Sequence, residues 1–145
     1  MALQFSNHYT PAEARKMLPA VRGWFAQMDA VRPRVHEAEE IFRPRLAAGE
    51  DLGGSATNVF VRDLGRLHDL IREFHSREIQ LKDVKRGLVD FPALLDGREV
   101  FLCWEKSEAD ITHWHAIDEG FAGRQPLWDS HEGWPARWVS YKTGP

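Results

Sequence analysis

The chain is 145 residues long, 43% hydrophobic and 28% charged, a balance that suits one globular domain over residues 1–145 with a single real core. Its net charge of −3 is uneven: residues 1–86 carry 14 Lys and Arg against 12 Asp and Glu, and residues 87–145 carry 5 against 10, too few clustered cations for a nucleic-acid partner. A lone cysteine, Cys103, excludes an internal disulfide, and no apolar run approaches the roughly 18 residues that span a bilayer, which together point to the cytoplasm and to no membrane partner.

The opening "MALQFSNHYT" has neither the basic lead nor the apolar stretch of a secretory signal. "YTPAEARKML" then starts a helix. Thr10 is placed to cap it, Pro11 takes the first helical position, where its missing N–H costs nothing, and Glu13 completes a capping box. Apolar residues recur at Leu18, Val21, Phe25, Met28, Val35, Phe42 and Leu46, a heptad-like seam with Arg32 and Glu39 in its remaining slots. Pro19, Pro33 and Pro44 predict one bent helix, or two stacked segments breaking near Arg32–Pro33. "AAGEDLGGSATN" ends it as a loop.

A second helix is expected from around Ala56–Asn58 to about Lys85. Its stripe is Phe60, Leu64, Leu67, Ile71, Phe74 and Leu81, with Glu78 in a seam slot and Lys82 as a cation near its C-terminal end. Two such helices joined by a Gly-rich loop should form an antiparallel hairpin over residues 10–86. At 1.5 Å per residue a helix of this length reaches about 40–50 Å, so part of it projects and a homodimer is expected. Arg32, Glu39 and Glu78 on the seams read as an ion-pair cluster fixing register, or as a ligand site between the helices.

From Gly87 the pattern changes to strands. "GLVDFPALLDGREVFLCW" gives a short apolar strand, a turn, and an alternating strand from Glu99 to Trp104; "ITHWH" gives a third and "ARWVSY" a final one. The fold class is therefore α+β: a helical hairpin followed by a small antiparallel sheet packed on it, with an irregular C-terminal segment, over residues 87–145.

"YTPAEARKMLP", "LKDVKRGLVDFPALLDGREVFLCW" and "ITHWHAIDEGFAGRQPL", in that order, resemble the bacterial family DUF2203 from about Tyr9 to Leu127. Where the family pattern carries a Gly-Glu pair after LCW, this chain has "WEKSEAD" and keeps an acid at Glu108. The resemblance implies a cytoplasmic bacterial protein and supplies no catalytic residues to carry over.

The most chemically loaded stretch is Ile111 to Leu127. On a strand, His113 and His115 point to one face and Trp114 to the other, so the two imidazoles could meet one ion, with Asp118 or Glu119 closing the set. Such donors suit Zn, Mn, Fe or Ni. A metal-free polar pocket and plain structural histidines are the competing readings. Arg124, in the Gly-spaced "GFAGRQP", could clamp an anionic ligand, or pin its loop to Asp90 or Glu119. Asp90 faces away from Val89 and Phe91, and with Glu108 it joins Arg124 as a candidate ligand-binding residue. Cys103 in "VFLCW" reads as a buried, inert thiol. His68 and His75 are too far apart on one helix to chelate jointly. Two functions follow: a small-molecule or metal-binding protein with its site on the HWH strand and the GFAGRQP loop, or an interaction module acting through the hairpin.

Overall fold

The computed structural model describes residues 2–127 and 138–142, and it is α+β. Strand β1 (Asn7–His8) leads into helix α1 (Pro11–Ala47), followed by α2 (Ser55–His75). Five strands form one antiparallel sheet in the order β2-β3-β4-β5-β6: β2 (Gln80–Asp83), β3 (Leu88–Leu95), β4 (Arg98–Glu105), β5 (His113–Ala116) and β6 (Gln125–Pro126). Strand β7 (Tyr141–Lys142) pairs with β1 in a separate two-stranded ribbon. Among the described residues no helix is long and apolar enough to cross a membrane.

The capping box forms as expected. The Glu13 amide donates to Thr10 Oγ1 at 3.1 Å, and the Thr10 amide donates to Glu13 Oε1 at 3.0 Å. The break considered near Arg32–Pro33 does not occur, and α1 runs unbroken through all three prolines. Pro19, Pro33 and Pro44 are exposed, so the carbonyls they leave unpaired can turn to water. The α1 seam buries Ala14, Leu18, Val21, Phe25, Met28, Val31, Val35 and Phe42, whereas Leu46 is exposed.

The second helix stops ten residues earlier than its stripe predicts. Glu78 adopts a left-handed φ of 57°, the Ile79 amide donates to the Phe74 carbonyl, and the Glu78 amide donates to that of His75. This is a Schellman ending with glutamate in the usual glycine position and the buried Ile79 just beyond it. The Glu78 carboxylate accepts the Ser6 and Asn7 amides, a reward that offsets the awkward backbone. Lys82 therefore lies on β2 and not at a helix end. Of the residues expected in an Arg32–Glu39–Glu78 cluster, Arg32 pairs with Asp29 and Glu39 with Arg43, both within α1, while Glu78 takes the Ser6 and Asn7 amides.

The chain forms two compact units, Met1–Arg22 with Phe74–Pro145, and Gly23–Glu73. In the Gly23–Glu73 unit, Arg34 grips Asp63 through two hydrogen bonds, Phe42 meets Phe60 with ring centroids 5.4 Å apart, and Gln27 pairs with Arg66. In the larger unit the sheet has two faces. Val89, Phe91 and Ala93 of β3 and Val100, Leu102 and Trp104 of β4 are buried on one of them. There the ring of Tyr9 meets Phe91 edge-on at 5.4 Å, and the Arg22 guanidinium lies 4.8 Å from the Trp104 ring centroid.

The β3–β4 hairpin turns on Asp96 and Gly97, both at positive φ (52° and 78°), as a two-residue turn of matching twist requires. Pro92 lies beyond the end of β2, where its missing N–H deprives no neighbour, and its carbonyl accepts the Tyr9 amide at 2.7 Å. The third expected strand is shorter than "ITHWH" at its start, because Ile111 and Thr112 precede β5. The expected "ARWVSY" strand falls partly outside the described residues; within them Trp138 bridges to Leu95.

Candidate functional site

The second face of the sheet carries the chemistry. Strand parity puts Leu88, Asp90 and Pro92 on it from β3, Phe101, Cys103 and Glu105 from β4, and His113 and His115 from β5. Asp90 lies directly opposite Cys103, and Cys103 opposite His113. His115 sits opposite Phe101, one step along, and its ring leans diagonally so that Nε2 comes within 3.0 Å of Asp90 Oδ1. Its other nitrogen, Nδ1, donates to the Ala116 carbonyl at 2.8 Å. That carbonyl can only accept, so it fixes a proton on Nδ1 and leaves Nε2 to share one with Asp90.

Asp90, Cys103 and His115 are all buried, and one donor atom from each lies within 4.8 Å of the others. Above them is a cavity of about 220 Å³, lined further by Lys82, Leu88, Phe101, Ile117 and the loop residues Glu119, Gly120 and Phe121. The loop is pinned at Phe121, whose ring is contacted by the guanidinium carbons of Arg86 at 4.6 Å and Arg124 at 4.4 Å. It also needs a glycine at position 123, because a Cβ there would come within 2.9 Å of Glu119.

The electrostatics separate the two histidines. Burial works against a charged His115, but its hydrogen bonds to Asp90 and Ala116 and the charge of Asp90 outweigh that, so its pKa is raised. For His113 burial comes first and the Arg124 charge adds to it; together they exceed the pull of Glu108 and lower its pKa. Burial above all, with the Asp90 carboxylate beside it, pushes the Cys103 thiol far up. A protonated thiol whose neighbouring imidazole is engaged by a carboxylate is not a poised nucleophile.

The expected set of His113, His115, Asp118 and Glu119 is not gathered at one point. Only His115 joins a group of three potential ligands. His113 Nδ1 lies 2.8 Å from Thr112 Oγ1 and 3.8 Å from Glu108 Oε2, in a neighbouring cluster, and Asp118 is exposed in the turn after β5. Sharing a strand face aligns Cβ directions, but the His115 ring reaches Asp90 on β3 while that of His113 meets Thr112 and Glu108 of the β4–β5 connection. Arg124 pairs with neither Asp90 nor Glu119: its Nη2 donates to Glu108 Oε2 at 2.7 Å. Glu108 Oε1 in turn accepts the Glu105 amide at 3.0 Å, so this pair clamps the loop to the β4–β5 connection. Two residues given bland roles from the sequence, Cys103 and Lys82, line the cavity.

The fold and this face define an α+β protein with a carboxylate–imidazole–thiol cluster buried beneath a loop-roofed cavity. The family model for an uncharacterized conserved protein, DUF2203, matches residues 7–127. The chain belongs to that family. No curated protein and no solved structure matches it.

Proposed function

We propose that this is a binding protein for a small polar molecule, seated in the cavity over Asp90, Cys103 and His115. The observation that carries this reading is a carboxylate–imidazole pair buried at the floor of an accessible cavity. Burying such a pair costs several kcal/mol per ion, and well-packed apolar residues would serve a purely structural role as well or better. Lys82 and Glu119 bring opposite charges to the cavity wall, which favours a ligand with both polar signs over an apolar one. The volume of about 220 Å³ lies below the roughly 300–1,000 Å³ of common small-molecule sites, so the ligand is compact. Arg124 and Glu108 serve it indirectly, by holding the roof. The test is a nuclear magnetic resonance titration with small carboxylic acids, amines and amino acids. Saturable shifts at Lys82, Asp90, Phe101, His115 and Phe121 are expected; shifts scattered over the surface, or none into the millimolar range, would overturn the reading.

A second reading concerns the Gly23–Glu73 unit, taken as an antiparallel helical hairpin. Ile41, Leu46, Val59, Val61 and Leu64 are exposed there, and Ile41, Phe42, Val59 and Phe60 line a groove of about 420 Å³. The groove also carries both charge signs, Arg34 and Arg45 beside Glu37, the self-complementarity that a two-fold interface with a second copy needs. Light scattering should then give a dimer; a monomer throughout the micromolar range removes this reading.

A further inference from the structure

We infer that Asp90, Cys103 and His115 bind one divalent transition-metal ion, with zinc the best match, leaving a coordination position open to the cavity. The inference rests on reading that cavity as a ligand site, and it names what the ligand first meets there. Among the described residues this is the one place where three such donors come together.

Four features favour an ion over a plain ion pair. The donors are a nitrogen, a sulfur and a carboxylate oxygen, from three adjacent strands whose ladders fix their spacing. In a tetrahedral zinc site with bonds of about 2.0–2.3 Å, neighbouring ligand atoms stand roughly 3.3–3.7 Å apart. The Nε2–Oδ1 separation of 3.0 Å and the 4.8 Å limit on all three donors bracket that range, so small side-chain rotations suffice. The backbone carbonyl of Ala116 holds the proton on His115 Nδ1, the outer-shell contact that aims Nε2 at a metal. Finally, the open side is the cavity, lined by Glu119 and Lys82, where water or a ligand atom can complete the shell.

Charge balances as well. An ion of charge +2 displaces the proton shared by Asp90 and His115 and the proton of the Cys103 thiol. The cluster stays neutral, and two protons pass to solvent for each ion bound. A structural Asp–His pair accounts for neither the sulfur nor the cavity.

Cobalt(II) is the probe, because a thiolate bound to it gives an intense near-ultraviolet charge-transfer band and tetrahedral geometry gives strong visible absorption. Cys103 is the chain's only cysteine, so such a band in the unaltered protein reports on it directly. The expected result is one cobalt per chain, the thiolate band at saturation, and its loss on adding zinc. Cys103→Ser should remove the band and weaken cobalt binding about tenfold or more, with His113→Ala leaving both unchanged. Cobalt that binds without the band, no binding at all, or a folded Cys103→Ser protein of undiminished affinity would overturn the inference. If Cys103→Ser does not fold, the spectrum of the unaltered chain decides. Small molecules that shift the cavity resonances in protein showing no cobalt band would leave the pocket standing and remove the metal. A band without any small-molecule shifts would do the reverse.

Discussion

Replacing Asp90 with alanine should destabilise the protein by an amount that depends on pH in a defined sense. Asp90 is 3% exposed and His115 2%, with 3.0 Å between Oδ1 and Nε2. Without the carboxylate a protonated His115 has no counter-ion, and removing one partner of a buried pair costs about 3–5 kcal/mol. The imidazole has an escape, because in alkaline solution it is neutral and has lost only a hydrogen bond, worth about 1–3 kcal/mol. Since the folded protein raises the pKa of His115, its ion pair contributes fully below an ordinary histidine's value near 6.5 and fades as pH climbs through the raised value.

The expected penalty for Asp90→Ala is therefore larger at about pH 5.5 than at about pH 9, by roughly 2 kcal/mol. At roughly 2–4 °C per kcal/mol for a chain of this size, the melting midpoint should fall by about 6–20 °C in acid and by about 2–12 °C in alkali. Urea unfolding of protein kept metal-free by a chelator, followed by tryptophan fluorescence, with thermal scans at both pH values, measures it. Asp90→Asn keeps the shape and a hydrogen bond, so it should lie between the parent and Asp90→Ala. A penalty that is equal at both pH values, or greater in alkali, would refute the ion-pair description.

Other consequences can be measured separately. Glu99 accepts the Gln4 and Phe5 amides at 2.7 and 3.0 Å and meets His8 Nε2 at 2.8 Å. Burial alone would raise its pKa, but these bonds outweigh that and lower it, so the anchorage holds above the ordinary glutamate range and is lost as pH falls through the lowered value. Glu99→Gln should speed hydrogen exchange at those two amides about tenfold or more, as expected for losing one charge-assisted bond of about 1.5 kcal/mol; unchanged exchange would count against the anchor. Gly87 has φ of 69°, and an added Cβ would come within 2.6 Å of the Lys106 side chain. Gly87→Ala should cost about 1–2 kcal/mol in thermal stability, and adding Lys106→Ala should restore only part, because the backbone strain remains; full restoration would deny that strain. Tyr9 is buried, with its hydroxyl donating to the Arg77 carbonyl at 2.8 Å, and burial pushes its pKa to about 12. In a Tyr141→Phe background an absorbance titration should show this late ionisation, and a step near 10 in folded protein would contradict it.

Much of the fold was written in local chemistry. Thr10, Pro11 and Glu13 satisfy the first turn of α1 among themselves, and the period of Val21, Phe25, Met28 and Val35 specifies a buried helix face without reference to anything distant. Asp96-Gly97 makes a two-residue hairpin, and that turn alone fixes the register that sets Cys103 opposite Asp90. The register thus carries the signal for Cys103 facing Asp90, whereas the apolar context of "VFLCW" specifies only its burial.

Other features arise only from long-range contacts. Nothing local marks Glu78 as a helix stop, since glutamate is a good helix former; its left-handed backbone is held by amides of Ser6 and Asn7, some 70 positions away in the chain. With that stop hidden, β2 and the place of Lys82 on the cavity wall were hidden too. The β4–β5 register crosses the irregular residues 106–112, so parity shows which way His113 and His115 face but not which partners they meet. A strand's two-residue period is a property of its own covalent chain, whereas the approach of His115 to Asp90 depends on how three strands slide into register. That is settled by the energy of the whole packed sheet, which no single segment encodes.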